Sequence, residues 1–69
     1  MNDIFGFERM ETSRVQRALE IAQESLLWWQ RAVAEAPDHP LATSEAPKEI
    51  AWAERTIAAA TEELNKRRA

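Results

Sequence analysis

The chain has 69 residues with no cysteine, a single glycine and a formal charge of −3, at a pI near 5.1. That length holds one domain and buries too small a share of its surface to be stable on its core alone; without cysteine, disulfides and thiolate zinc sites are excluded and oligomerisation is the remaining support. The acidic balance argues against a nucleic-acid or anionic-membrane surface, and no stretch approaches the ~20 apolar residues of a membrane span.

Residues 1–12 read as an apolar arm, with Ile4, Phe5, Phe7 and Met10 around Gly6. Asp3 and Glu8 interrupt it, so it is not a secretory signal, and a cytoplasmic location is expected. Such an arm either covers an open end of a helical bundle or extends a surface for a partner.

From residue 13 to residue 69 the pattern is a helical hairpin domain. Ser13 and Gln16 fit a capping box, with Thr12 as the alternative cap, so a first helix is predicted over about 13–36. Its apolar seam is Val15, Leu19, Ala22, Leu26, Trp29 and Val33, and Pro37 ends it. Asp38, His39, Pro40, Leu41 and Thr43 have turn composition, with Leu41 expected to tuck under the hairpin tip. His39 stands alone and is expected to be solvated rather than metal-bound. Ser44 is the expected cap of a second helix over about 45–67, with Pro47 in its first turn and Glu45 and Glu49 at the positive end of its dipole. Its seam is Ala46, Ile50, Ala53, Ile57, Ala60 and Leu64, and Lys66, Arg67 and Arg68 complement its carbonyl end.

Folded back on themselves, the seams match when Val33 meets Ile50, Trp29 meets Ala53, Leu26 meets Ile57 and Leu19 meets Leu64. The expected fold is therefore all-α, an antiparallel two-helix hairpin pairing into a homodimeric four-helix bundle. Its core would be Leu19, Leu26, Trp29, Val33, Ile50, Ile57 and Leu64. A stretch from Leu26 to Ala34 also echoes Ile50 to Ala58, which reads as convergence on one amphipathic pattern.

A second face remains. At about 100° per residue, Ile21, Ser25, Trp28 and Ala32 flank the first seam, and Trp52, Thr56 and Ala59 flank the second. Antiparallel pairing brings both flanks to one side, while Gln16, Glu20, Gln23, Gln30, Glu54 and Glu62 occupy the other. Leu27 stands isolated on the polar side. Two readings stay open for the indole face: it is the core of a symmetric dimer, or it is an anchor for a different protein. Trp52, Trp28, Ile21, Thr56 and Arg55 are the candidate partner contacts.

Catalytic chemistry is not expected. There is no cysteine, one loop histidine, carboxylates at solvated helix positions, and too little glycine for a phosphate loop. No enzyme activity, cofactor or metal is predicted.

The Trp-containing, alanine-rich end of the first helix, the polar loop, and a second helix with Trp52 near its start and an arginine-rich end together resemble the small bacteriophage quorum-sensing anti-activator family. The resemblance covers roughly residues 19–69. It implies a dimeric helical hairpin that blocks a LuxR-type transcription regulator and, separately, a pilus-assembly ATPase of the bacterial host. Trp52 matches that family's helix-two tryptophan, implicated in partner binding, whereas Ala46 stands where the family has a tyrosine. Gln23, Glu24, Arg31, Ala32, Val33 and Ala34 are also similar to phage proteins that sequester cyclic oligonucleotide signals. That similarity implies an alternative function, a sponge holding an anionic nucleotide with Arg14, Arg17 or Arg31. A purely structural bundle subunit is the third alternative.

Overall fold

The computed structural model describes residues 5–68; residues 1–4, which include Asp3 and Ile4 of the predicted arm, and Ala69 lie outside the described residues. Among these the chain is all-α: a 3-10 turn at Phe7–Arg9, α1 at Thr12–Glu35, a short α2 at Pro40–Ser44, and α3 at Ala46–Arg68.

Both long helices start and stop for local reasons that shift the predicted ends slightly. Glu11, extended at φ −63° and ψ 150°, precedes α1 and makes no side-chain cap. Its carbonyl accepts from the N–H groups of Arg14 and Val15. Ser13 thus lies inside the first turn and the capping box is not used. Thr12 instead turns its hydroxyl to Arg67, 3.0 Å away. At the other end Ala36 leaves the helix at φ −140° and ψ 66°, outside the α region that the following Pro37 disfavours.

The connection is where the expectation fails most. Most of the predicted loop is helical, because Pro40 sits at the first helical position and the His39 Nδ1 accepts from the Leu41 N–H at 3.1 Å. Thr43 and Ser44 both turn their hydroxyls back onto the Pro40 carbonyl, at 2.9 Å each. Ser44 therefore finishes α2 and does not cap α3. Glu45, still helical at φ −96° and ψ −40°, joins the two segments. A continuous helix is interrupted here because Pro47 has no N–H to offer the Thr43 carbonyl.

The long helices pack along their lengths around small residues. Val15 and Ala22 on α1, and Ala46, Ala53 and Ala60 on α3, are fully buried and recur every seventh position. Alanine at the contact lets two backbones approach closely, and such a seam has no space for large side chains. Leu19, Leu26, Trp29, Val33, Ile50, Ile57 and Leu64, expected as the core, are accordingly half-buried along its sides. Val15 shares a cluster with Ala60, against which Leu19 and Leu64 also pack, and Arg67 touches Thr12 while bonded to Glu63.

The N-terminal segment closes the open end. Gly6 turns the chain at φ 70° and ψ 20°, a left-handed conformation that costs a side-chain-bearing residue ~1–2 kcal/mol. Phe7 then packs on Val15 and Ala60, with Phe5, Met10, Ala18, Leu19, Ala59 and Leu64 around it. The Phe5 and Phe7 rings stack at 5.3 Å. Phe5, Phe7 and Met10 of the arm thus pack against residues of both long helices.

Arg67 fastens this arm. Its Nη2 donates to the carbonyls of Phe7 at 2.8 Å and Met10 at 2.7 Å, its Nη1 to Thr12, and its Nε to Glu63 at 2.8 Å. Glu63 is 9% exposed, so its carboxylate depends on that guanidinium for compensation. Arg67 is thus a tertiary clamp, beyond the dipole role read from the basic run. Its neighbour Lys66 only grazes Glu8 at 4.0 Å in solvent, a contact of little energetic weight.

Candidate protein-binding face

Helical periodicity and the alanine seam together determine what is left outside. Because α1 and α3 meet on small residues, the residues one flank away stand proud of the seam. Ile21, Trp28 and Trp52 are exposed, the indoles by 63% and 45% respectively. On α1 Ser25, between Ile21 and Trp28, is half-buried, as is Ala32 one turn beyond Trp28. Trp28 leans edge-on against Trp29, with ring centroids 4.9 Å apart and planes at 87°. This contact orients Trp28 without hiding it. Burying the rest of such side chains is worth ~1.5–3 kcal/mol for a whole large residue, so the face has an energetic reason to be covered.

Not every predicted contact lies on this face. Thr56 is 3% exposed, and its hydroxyl donates to the Trp52 carbonyl at 2.8 Å. It is an interior residue, unable to reach a partner, because the heptad seam rotates it inward between Ala53 and Ala60. Ala59 lies against the Phe7 cluster, so the arm already covers the open-end half of the flank. What remains is the loop-side half, with Ile21, Trp28 and Trp52. Arg55 is exposed one turn beyond Trp52, and Lys48 is exposed one turn before it. Around Trp28 the corresponding positions hold Glu24 and Arg31, also exposed.

Elsewhere the surface is polar as expected, with Gln16, Glu20, Gln23, Gln30, Glu54 and Glu62 all exposed. Leu27 is exposed among them. Leu41 does not tuck under the tip; it is 50% exposed, because α2 directs its backbone N–H to His39 and its side chain outward.

Arg14, Arg17 and Arg31, the arginines of the sponge reading, are all exposed on α1. Arg17 and Arg31 stand fourteen residues apart on one helix, ~21 Å at 1.5 Å per residue, and Arg17 faces Glu20 at 3.9 Å. Among the described residues no three histidine, aspartate or glutamate side chains gather where they could hold a metal ion. No helix of the described residues is long and apolar enough to cross a membrane.

No family model, curated protein or solved structure matches this chain. The face must therefore be interpreted from its own chemistry.

The clamp of Arg67 and Glu63 was missed in the sequence. The signal was available: an acid and a base four apart, with Glu63 rotated toward the apolar seam, where a solvated charge is out of place.

Proposed function

We propose that this chain is an antiparallel helical hairpin that acts without catalysis, as a small phage accessory protein in the bacterial cytosol. It binds a host protein stoichiometrically, inhibits it by occupying its surface, and also pairs with itself. The opposed course of the two long helices is supported by Arg67, near the end of α3, reaching Thr12 at the start of α1.

The observation that carries the functional reading is the exposed patch of Ile21, Trp28 and Trp52. Exposed tryptophans beside Arg55 have the composition of an interface hot spot. The resemblance to the anti-activators supplies the candidate targets, a LuxR-type transcription regulator and a pilus-assembly ATPase.

Titration of the purified chain into each target, followed by indole fluorescence and calorimetry, tests this. Saturation at one subunit per target with a blue-shifted indole emission is expected. Trp28→Ala combined with Trp52→Ala should reduce affinity at least a hundredfold at unchanged helicity. Absence of binding by the wild-type chain discards both targets, and wild-type affinity in the double variant discards the face.

A further inference from the structure

We infer that the N-terminal arm is a removable plug, and that its seat on α1 and α3 is a second binding site, for a partner segment that offers one aromatic ring together with the free main-chain carbonyls of that residue and of the third residue after it. This extends the reading of Ile21, Trp28 and Trp52 as a face for a host protein, on which it rests.

The way the arm is held shows what the seat recognises. Phe7 is 3% exposed and packs with Val15 and Ala60, both completely enclosed. Phe5 and Met10 are half-buried beside it, while Glu8 and Arg9 are exposed. The main polar hold ignores side chains: the Arg67 Nη2 donates to the Phe7 carbonyl at 2.8 Å and to the Met10 carbonyl at 2.7 Å. Every residue has a carbonyl, so a foreign segment with an aromatic residue in the place of Phe7 satisfies the same donor. A turn or the C-terminal end of a helix supplies such groups, because its last carbonyls have no partner within the helix.

The joint and the clamp suit an occupant that leaves. Met10 and Glu11 are both extended, at ψ 152° and 150°. Rotation at Met10 lifts Phe7 without unwinding α1, whose first N–H groups bond the Glu11 carbonyl one residue further on. Arg67 stays behind on α3. Its Nε is bonded to the Glu63 carboxylate at 2.8 Å, which keeps the guanidinium oriented once the arm has gone.

Vacating the seat lengthens the proposed face. Ala59 follows Trp52 by seven residues on α3, and Ala18 precedes Ser25 by seven on α1, so each pair shares one flank of its helix. Ala18 and Ala59 are two of the residues packed on the Phe7 cluster. From Trp52 to Ala60 the distance along α3 is ~12 Å at 1.5 Å per residue, within reach of one partner segment. While the arm is seated, only the indole half of the flank is open. Arm and partner therefore compete for the other half, and a segment without the aromatic residue does not displace the arm.

The test needs no host protein, so its failure is separate from failure of the proposed targets. The probe is a fluorescein-labelled synthetic peptide with the sequence of residues 1–12, followed by anisotropy, with circular dichroism checking that each chain stays helical. Phe7→Ala in the chain empties the seat. Gly6→Val loosens the arm from outside the seat, by forcing a branched side chain into a left-handed turn, and serves if the first variant folds poorly. Both chains are expected to take up the peptide, and the wild type to bind it more weakly by about tenfold or more, because its tethered arm competes at high effective concentration. Peptide with Glu8→Ala and Arg9→Ala should bind within about threefold of its parent. Peptide with Phe7→Ala, or the Phe7→Ala chain with Arg67→Ala added, should lose binding by about tenfold or more. Absence of peptide binding by both loosened chains at about 100 µM overturns the inference. So does a wild-type chain that binds as tightly as they do, or a Phe7→Ala peptide that binds as well as its parent. Dissociation of a wild-type dimer by the peptide in sedimentation velocity also overturns it, since the seat would then belong to the arm of a second copy.

Discussion

Replacing Arg67 by alanine examines the link between the arm and the helices. The substitution removes four hydrogen bonds, to the Phe7 and Met10 carbonyls, the Thr12 hydroxyl and the Glu63 carboxylate. A bond to a charged group is worth ~1.5–3 kcal/mol, less where the acceptor regains water. The Arg67 and Glu63 side chains keep 23% and 11% of their exposure, so the full ~3–5 kcal/mol cost of stranding a buried charge is an upper limit. The two carbonyls recover solvent once the arm lifts. A net loss of ~2–4 kcal/mol follows, a large part of the stability of a domain this small. At ~4–8 °C per kcal/mol the melting point falls by about 10–30 °C. Thermal denaturation followed by circular dichroism measures it, and amide exchange at Phe7 and Met10 reports whether the arm has lifted. Arg67→Lys should lose most of the same stability, since an ammonium cannot present the forked set of donors. Glu63→Gln should reduce the further loss caused by Arg67→Ala, because no charge is then stranded. A melting point within 2 °C of wild type for Arg67→Ala would refute the clamp.

Two further substitutions probe the frame of the fold. Gly6→Ala meets nothing within 4 Å of its new Cβ, so its expected cost of ~1–2 kcal/mol comes from the positive φ alone. Gly6→Asn should recover part of that, and an unchanged melting point for Gly6→Ala would remove the left-handed turn from the argument. Ala53→Leu places a large side chain on a completely buried contact position. Overpacking of ~1–3 kcal/mol is expected, together with separation of α1 and α3, visible in solution scattering as a larger cross-section. A variant as stable and slender as wild type would mean the alanine seam has spare room.

The all-α character was legible from periodicity because both apolar stripes are long and keep the 3.6-residue rhythm. The exposed tryptophans were legible for the same reason: Trp28 and Trp52 fall off the seam on any helical count. The connection was not, because it depends on where helix resumes after Pro37. Pro40 looks like a loop residue in sequence, yet it occupies the first position of α2, and His39 caps that turn with a side chain rarely given the task. The size of the apolar residues also misled, since the large ones suggested the center of the contact while alanines occupy it. Thr56 went astray through its neighbours; flanked by Ala53 and Ala60, it is carried inward with them and satisfies its hydroxyl on the backbone. The pairing of Glu63 with Arg67 could be read from their spacing, but the hold of Arg67 on the arm could not, because the carbonyls it binds lie 60 and 57 residues upstream.

That separation imposes a schedule on the newborn protein. At ~5–20 residues per second, the ribosome needs about 3–12 s to proceed from Phe7 to Arg67, and for that interval the aromatic segment has no guanidinium to settle against. The bonds from Arg67 to the Phe7 and Met10 carbonyls can therefore form only after almost all of the chain between Phe5 and Arg68 has been made.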